Sequence, residues 1–292
     1  MSGYYSMCFP FLYAWRAGTP YVIYGHSFGP LHDELRRKLI GFVLRHALLV
    51  LPREPLSLKF AVNELGVDEN HVRLVPDSVF GWIEPDCTSE SVKQELAAQI
   101  GGSPYFCVTI RAGMSEEDAH LTSLAGAIRD TLQQNEAMRC VIVTHCHPFD
   151  GYPGFEDDRQ ISKKLVDAVD CGSRVVLVSR ALSPSQLIAI YRSADFVVGM
   201  RLHSVILSIV AGTPVLAISY WGNKTYGIMQ MAGLEHLVFD FRNLDRQELV
   251  RAMRRLADNP ANERATVCMV RDRLHREANE TPNFIREAWL AT

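Results

Sequence analysis

A strand–helix–strand pattern over residues 195–227 constrains the fold of this chain more than any other stretch. It reads DFVVGMRLHSVILSIVAGTPVLAISYWGNKTYG, in which two short apolar runs are separated by a small-residue helix and a Gly-Thr-Pro break. Runs that are apolar on both faces are typical of parallel strands covered by helices on both sides of the sheet. The stretch therefore predicts an α/β fold with a parallel sheet.

Charged side chains follow both of these strands. Arg201 and His203 come after the first strand, and Lys224 comes after the second. Ligands of open α/β sheets bind beyond the carboxyl ends of the strands, so we expect these side chains at a ligand site. Two cations and an imidazole at one rim favour an anionic small molecule.

The 292 residues predict two domains, since a domain typically has ~100–200 residues. We place an incomplete N-terminal domain at 1–88 and a full doubly wound domain at 89–292, with the polar stretch 81–103 as the boundary. We leave open whether the last helix crosses back to the first domain. The strands predicted for the first domain are 21–24, 48–51 and 72–75, fewer than the five or more of a usual doubly wound half. About six strands alternate with helices in the second domain.

Composition excludes several classes of protein. A net charge of −3 and a pI near 6.4 argue against a general nucleic-acid binder. No stretch approaches the ~18 uncharged apolar residues of a membrane span, and the first residues lack the basic leader of a signal peptide. We predict a helix at 6–17 instead. The seven scattered cysteines contain no CxxC motif, which indicates reduced thiols and a cytoplasmic location.

Two motifs of the sequence are candidates for cofactor binding. His145 and His147, with Asp150 nearby, resemble part of a metal site, but structural zinc needs four ligands at characteristic spacings and no second cluster is present. GHSFGP at 25–30 matches neither GxGxxG nor a P-loop. The sequence therefore predicts no metal, and it does not support a dinucleotide or ATP site.

Polar side chains at strand ends form the candidate site. Arginine can hold a carboxylate or phosphate with two parallel hydrogen bonds, whereas lysine cannot. The alternative is that Arg53 or Arg201 pairs with a nearby acid such as Glu54 or Asp195. His203 is the acid–base candidate because imidazole titrates near neutral pH, the alternative being that it caps its own helix. The strand-end residues are His26, Ser27, Arg53, Ser57, Asp77, Arg111, His145, Arg201, His203 and Lys224.

Five motifs, in the same order along the chain, resemble those of the polysaccharide pyruvyl transferases. They are GHSFGP (25–30), REPLS (53–57), PDSVF (76–80), the strand ending at Arg111, and GMRLH (199–203) with AGTPVLAISYWGNKTYG (211–227). The resemblance covers residues 20 to about 235. It implies two GT-B-like domains, phosphoenolpyruvate as donor with no separate cofactor, and a saccharide acceptor that receives a pyruvate ketal.

On this resemblance we assign His203, Arg201 and Lys224 as catalytic. His203 is the expected proton donor, and Arg111 and Arg201 are expected to hold the phosphate and carboxylate of the donor. The substrate-binding set is Arg111, Arg53, His26, Ser27, Leu202 and His145. Acceptors in this family are often lipid-linked, so we leave open contact with the inner face of the membrane.

One departure from the family pattern affects the first domain. Family members usually carry a further N-terminal portion with a glycine-rich strand-turn, and this chain starts after that point, so we expect a shortened acceptor-side domain. Two alternative functions follow. One is a nucleotide-sugar glycosyltransferase or sugar epimerase of the same architecture, with Glu235 as the candidate acid for a ribose. The other is a truncated, non-catalytic paralogue.

Overall fold

A computed structural model describes residues 2–82, 90–113, 117–147, 157–220 and 224–291. The chain separates into two compact units. Unit 1 comprises Met1–Gly81, Trp221–Glu235 and Arg273–Thr292, and unit 2 comprises Trp82–Tyr220 and His236–Asp272. Both units contain a parallel sheet and helices, which confirms the α/β fold class. The predicted boundary at residue 88 lies outside the described residues.

Helices and strands alternate along the described part of the chain. The strands are β1 Val22–His26, β2 Leu49–Pro52, β3 Tyr105–Thr109, β4 Arg139–Val143, β5 Val175–Val178, β6 Val197–Gly199, β7 Val215–Ser219 and β8 Val238–Asp240. The helices are α1 Ser2–Arg16, α2 Glu34–Arg45, α3 Pro55–Asn63, α4 Glu90–Ile100, α5 Glu117–Gln134, α6 Asp158–Val169, α7 Pro184–Ser193, α8 Leu202–Val210, α9 Lys224–Ala232, α10 Arg246–Asp258 and α11 Pro260–Leu290.

The sheet of unit 1 consists of β1 and β2 in parallel. The strand predicted at 72–75 is wrong, because Val72 makes only an isolated bridge to Val50. The segment still runs beside β2, with Arg73 N–H donating to the Val50 carbonyl at 2.9 Å. A 3₁₀ turn at Glu69–His71 precedes it, and a proline, which has no backbone N–H to donate, follows at position 76.

Unit 2 has a six-stranded parallel sheet in the order β5-β4-β3-β6-β7-β8. The chain builds outward from β3 through β4 to β5, and then returns to the other side of β3 to place β6, β7 and β8. The order therefore reverses between β3 and β6. This reversal is the topological switch point of a doubly wound sheet, where the crevice beyond the strand ends receives ligands.

The core of unit 2 surrounds the central strands that flank this switch point. Phe106 on β3 and the neighbouring Phe196 are both fully buried, and their rings stack with centroids 5.0 Å apart. Val197 and Val198 of β6 are also without exposure. Burying each such side chain stabilises the fold by ~1.5–3 kcal/mol. The strand ends that carry the candidate site are thus held by the most buried part of the unit.

Helix α4 lies within the polar stretch 81–103, where the sequence analysis placed the domain boundary. Val92, Leu96 and Ile100 lie four residues apart along it and are all buried. This spacing is the apolar stripe of an amphipathic helix.

Replacing Gly199 with alanine is expected to lower the free energy of unfolding by about 1–3 kcal/mol. An added Cβ would lie 2.8 Å from Ser204 Oγ and 3.0 Å from Val205 Cγ2, two buried atoms in the first turn of α8. Denaturant unfolding measures the change. Gly81→Ala is the control, because its Cβ would come no nearer than 3.5 Å to a neighbour. Equal losses in the two variants would contradict this account.

Candidate functional site

Four neighbouring strands of unit 2 end at one rim of the sheet, and each is followed by a polar side chain. Arg111 comes after β3, His145 after β4, Arg201 after β6 and Tyr220 after β7. Because β3 and β6 flank the point where strand order reverses, Arg111 and Arg201 lie on its two sides. The sequence analysis placed both arginines at strand ends, and the topology now places those strand ends next to each other.

Arg201 forms a two-pronged ion pair with Asp158. Its Nε donates to Oδ2 at 3.0 Å and its Nη2 donates to Oδ1 at 2.5 Å. The carboxylate has no solvent exposure, and the arginine side chain keeps only 12%. The alternative that Arg201 pairs with an acid is therefore correct, but its partner is neither of the acids named from the sequence, Glu54 and Asp195. Asp158 comes from the first turn of α6.

Asp158 also joins two loops of the rim. Its carboxylate accepts hydrogen bonds from the backbone N–H of Ala112 at 3.1 Å and of Cys146 at 3.0 Å. Ala112 follows Arg111, and Cys146 follows His145. The carboxylate therefore connects the ends of β3 and β4 to the arginine that follows β6.

Sequence analysis missed Asp158, although the chain carries a signal for it. Residues 157 and 158 are consecutive aspartates at a helix start. One aspartate is enough to cap a helix, and Asp157 does so by accepting from the backbone N–H of Arg159. The second acid therefore had no local role and was the one available for a distant partner.

Arg111 is held by the residues that directly follow β6 and β7. Its backbone N–H donates to Met200 Sδ at 3.4 Å, and its guanidinium carbon lies 4.4 Å from the centroid of the Tyr220 ring. A guanidinium above an aromatic face is stabilised by the ring quadrupole, and its in-plane N–H groups still point outward to hydrogen-bond acceptors. Tyr220 was not singled out from the sequence.

His145 is a neutral imidazole packed against a buried tyrosine. Its Nε2 lies 2.5 Å from the hydroxyl of Tyr191, and the two rings are nearly parallel. Burial lowers the pKa of His145 to about 4, partly offset by Asp158 and reinforced by Arg201 and His203. This electrostatic influence indicates that His145 lies near the Arg201–Asp158 pair and His203. The predicted contact of His145 with substrate stays a prediction.

Acidification is expected to destabilise unit 2 through His145. The unfolded chain binds a proton there as the pH falls below about 6.5, whereas the folded protein does so only near pH 4. The stability that depends on neutral His145 is therefore complete above that window and lost as the pH falls through it. Between pH 7 and 5 the loss reaches about 2 kcal/mol. Denaturant unfolding of the wild type and His145→Asn measures it, and an unchanged pH slope in the variant would contradict the assignment.

His203 is an exposed residue in the first turn of α8. The N-cap position of this helix belongs to Arg201, so His203 does not occupy it. Leu202 begins the helix and is half-buried. His203 thus lies just beyond the end of β6, two residues after the arginine that Asp158 holds.

Buried hydroxyls hold the turn that carries Arg201. Ser204 Oγ donates to the Arg201 carbonyl at 2.7 Å and lies 2.8 Å from Thr109 Oγ1. Thr109, at the end of β3, also accepts from the backbone N–H of Met200 at 3.1 Å. These bonds fix the β6–α8 turn to the adjacent strand, so the position of Arg201 is set by its backbone as well as by its side chain.

Unit 1 has a separate cluster in which three of the sequence motifs meet. Arg53 donates from Nε to Ser27 Oγ at 2.9 Å and from Nη1 to Asp77 Oδ2 at 2.6 Å. The expected alternative partner, Glu54, instead caps α3 by accepting from the backbone N–H of Ser57. Proximity along the sequence favoured Glu54 as the partner of Arg53. The Glu54 carboxylate instead binds the backbone N–H groups at the start of its own helix.

Two further candidates of unit 1 lie near Arg53. Reduced hydration of the ring lowers the pKa of His26, and the positive charges of Arg53 and Lys224 lower it further. The residue is nevertheless exposed. Lys224 is the first residue of α9 and is also exposed. The lowered pKa favours the neutral form of His26, which can accept a proton.

The described part of the chain has no group of three or more His, Cys, Asp or Glu placed to hold a metal ion. His147 Nε2 lies 3.1 Å from Thr144 Oγ1, and Asp150 lies outside the described residues. In the same ranges, no helix combines the length and the apolar character needed to cross a bilayer.

The doubly wound parallel sheet of unit 2 and the short parallel sheet of unit 1 give an α/β fold of the GT-B-like class. The chain belongs to the polysaccharide pyruvyl transferase family, whose model matches residues 1–222. This matched range contains Arg53, Arg111, Arg201 and His203.

Known relatives agree with this class. The amylovoran biosynthesis protein AmsJ of Erwinia amylovora is 24% identical over 259 residues, which cover 85% of this chain and 60% of AmsJ. An Anabaena protein, HepE, solved with UDP and glucose, has a TM-score of 0.65 at 15% identity, covering 97% of this chain and 74% of HepE. A Listeria monocytogenes structure assigned as a UDP-N-acetylglucosamine 2-epimerase has a TM-score of 0.68 at 13% identity, covering 97% and 71%. At these identities the structural likenesses concern the fold alone.

Proposed function

We propose that this protein transfers the pyruvyl group of phosphoenolpyruvate to two hydroxyls of a saccharide and forms a pyruvate ketal. Membership of the polysaccharide pyruvyl transferase family and the relative in amylovoran biosynthesis support a role in polysaccharide modification. The observation that carries the donor assignment is the placement of Arg111 and Arg201 at the ends of β3 and β6. Phosphoenolpyruvate offers a phosphate and a carboxylate, the two groups that guanidinium donors bind best.

The chemistry requires a proton donor and a site for charge that develops on the leaving phosphate. Protonation of the donor's methylene carbon turns it into a methyl group and makes the adjacent carbon electrophilic. One sugar hydroxyl attacks that carbon and loses its proton, and a tetrahedral adduct results. The bond from carbon to the phosphate oxygen then breaks, inorganic phosphate leaves with one proton, and the second hydroxyl closes the ketal.

His203 is the proposed proton donor. It is exposed at the start of α8, two residues beyond Arg201, to which we assign the donor carboxylate. An imidazole near neutral pH can donate a proton and recover it from solvent. Leu202, between the two, is proposed to contact the donor through its backbone or side chain.

Arg111 and Arg201 have different electrostatic roles in this proposal. The charge of Arg201 is offset by Asp158, which fixes the direction of its guanidinium. Arg111 is held on the face of the Tyr220 ring. We assign Arg111 to the phosphate, where negative charge grows as the carbon–oxygen bond breaks, and Arg201 to the carboxylate.

The residues of unit 1 are assigned to the acceptor. His26 is the candidate base for a sugar hydroxyl, because its lowered pKa favours the neutral form. Ser27 and Arg53 are proposed to bind acceptor hydroxyls, and Lys224 to add positive charge. A cytoplasmic location and a lipid-linked acceptor at the membrane surface belong to the same proposal.

Calorimetric titration of the whole chain with phosphoenolpyruvate tests the donor assignment. We expect saturable binding of phosphoenolpyruvate and no binding of UDP-N-acetylglucosamine under the same conditions. Binding of the nucleotide sugar without binding of phosphoenolpyruvate would instead favour a glycosyltransferase or epimerase of the same fold.

A further inference from the structure

We propose that Asp158 is a positioning residue for donor binding, which acts by holding the guanidinium of Arg201 in one orientation. The inference rests on the proposed function, in which Arg201 binds the carboxylate of phosphoenolpyruvate. Asp158 itself is not placed in contact with the donor, and its role is to fix the residue that is.

The two-pronged contact between Asp158 and Arg201 restricts the rotation of the arginine side chain. Both carboxylate oxygens face the Nε/Nη2 edge of Arg201, so the arginine cannot rotate about its last bonds without losing two charge-assisted hydrogen bonds. The carboxylate has no exposure to solvent, and the arginine side chain has 12%, so water competes little with the pair. A side chain with several rotatable bonds is thereby restricted to one conformer.

Stability alone does not account for this pair. Burying a carboxylate and a guanidinium carries a desolvation cost that the attraction between them often only balances. Capping does not account for it either, because Asp157 already caps α6. Orientation of Arg201 is the role that uses both the charge and the two-pronged geometry.

Asp158 is also connected to Arg111, through a hydrogen bond to the backbone of the next residue. Asp158 accepts from the N–H of Ala112, the residue directly after Arg111, at 3.1 Å. One carboxylate therefore sets the spacing between the two strand-end arginines that we assign to the donor. Loss of its charge should affect recognition of the donor's carboxylate and phosphate together.

A double-mutant cycle on donor binding tests this inference. We expect Asp158→Asn to weaken calorimetric binding of phosphoenolpyruvate by about 10–100-fold, because the freed guanidinium moves off its bound position. Arg201→Lys, which loses the two-pronged contact, should weaken binding to a similar degree. If Asp158 acts through Arg201, the double variant should bind less than about 2-fold more weakly than Arg201→Lys alone.

Asp157→Asn is the matched control, since it makes the same chemical change one residue earlier and retains a capping side chain. It should bind phosphoenolpyruvate like the wild type. Where Asp158→Asn fails to fold, Asp158→Glu carries the test, because it keeps the charge, moves it by one methylene, and should still weaken binding. Multiplicative effects in the cycle, normal binding by Arg201→Lys, or normal binding by Asp158→Glu would overturn the inference. Failure of the wild type to bind phosphoenolpyruvate would instead remove the proposed function.

Discussion

Replacing His203 with alanine is expected to lower kcat for pyruvyl transfer by roughly 10²–10⁴-fold. The reaction cannot begin until the methylene carbon of the donor receives a proton, and His203 is the proposed source. Because the imidazole is not assigned to hold the donor's anionic groups, its loss should change the donor KM by only a few fold. Steady-state release of phosphate, measured over a range of donor concentrations, separates the two parameters.

His236→Ala is the control for this variant, since His236 is also an exposed histidine of unit 2. It should retain the wild-type kcat. The His203 assignment would be abandoned if His203→Ala kept its kcat, and a large rise in donor KM with an unchanged kcat would make His203 a binding residue instead.

Replacing Arg201 with methionine is expected to lower the free energy of unfolding of unit 2 by about 3–5 kcal/mol. Methionine has a similar length but leaves the Asp158 carboxylate, which has no exposure, without its cation. The backbone N–H groups of Ala112 and Cys146 still donate to this carboxylate, so the lower end of the range is the better expectation. Denaturant unfolding followed by circular dichroism measures the change.

Arg246→Met provides the matched comparison. Arg246 makes the same two-pronged contact with Asp130, but the side chains keep 46% and 30% of their exposure. An exposed pair stabilises a protein by ~0–1 kcal/mol, so this variant should lose little. Similar losses in the two variants would show that burial of Asp158 does not have the energetic weight we give it.

Periodicity predicted most of the fold because the strands of unit 2 are buried on both faces. Apolar runs such as the one at 105–110 and the Ser183-Pro184 helix start identify their elements by local chemistry alone. The segment 72–75 is also largely apolar, but it pairs with β2 through a single bridge, between Val72 and Val50. Strand pairing depends on the partner's backbone, which local sequence does not contain.

The candidate site was predicted in its residue types but not in its pairings. Pairing of Arg53 and Arg201 with nearby acids was the alternative to substrate binding. The acids that the structure supplies, Asp77 and Asp158, come from 24 and 43 residues away along the chain. A partner at such separation is set by which strands are neighbours. Motif order showed that the segments belong together, and only the strand order showed which side chains meet.

Tyr220 illustrates the same limit. It follows β7, and its ring lies under the guanidinium of Arg111, which follows β3. Sequence analysis noted it only as part of the motif at 211–227, because nothing local to a tyrosine after a strand distinguishes a stacking partner from a surface residue. The contact depends on β6 being the one strand between β3 and β7.

Pyruvyl transfer itself is measured by incubating the whole chain in D₂O with phosphoenolpyruvate and a panel of saccharides that carry free hydroxyl pairs. Phosphate release and the product methyl group are followed by NMR. We expect release of phosphate only with a competent saccharide, one phosphate for each ketal, and one deuterium in each new methyl group. Transfer of a glycosyl group from a UDP-sugar to the same saccharides, with phosphoenolpyruvate left intact, would contradict the proposed function.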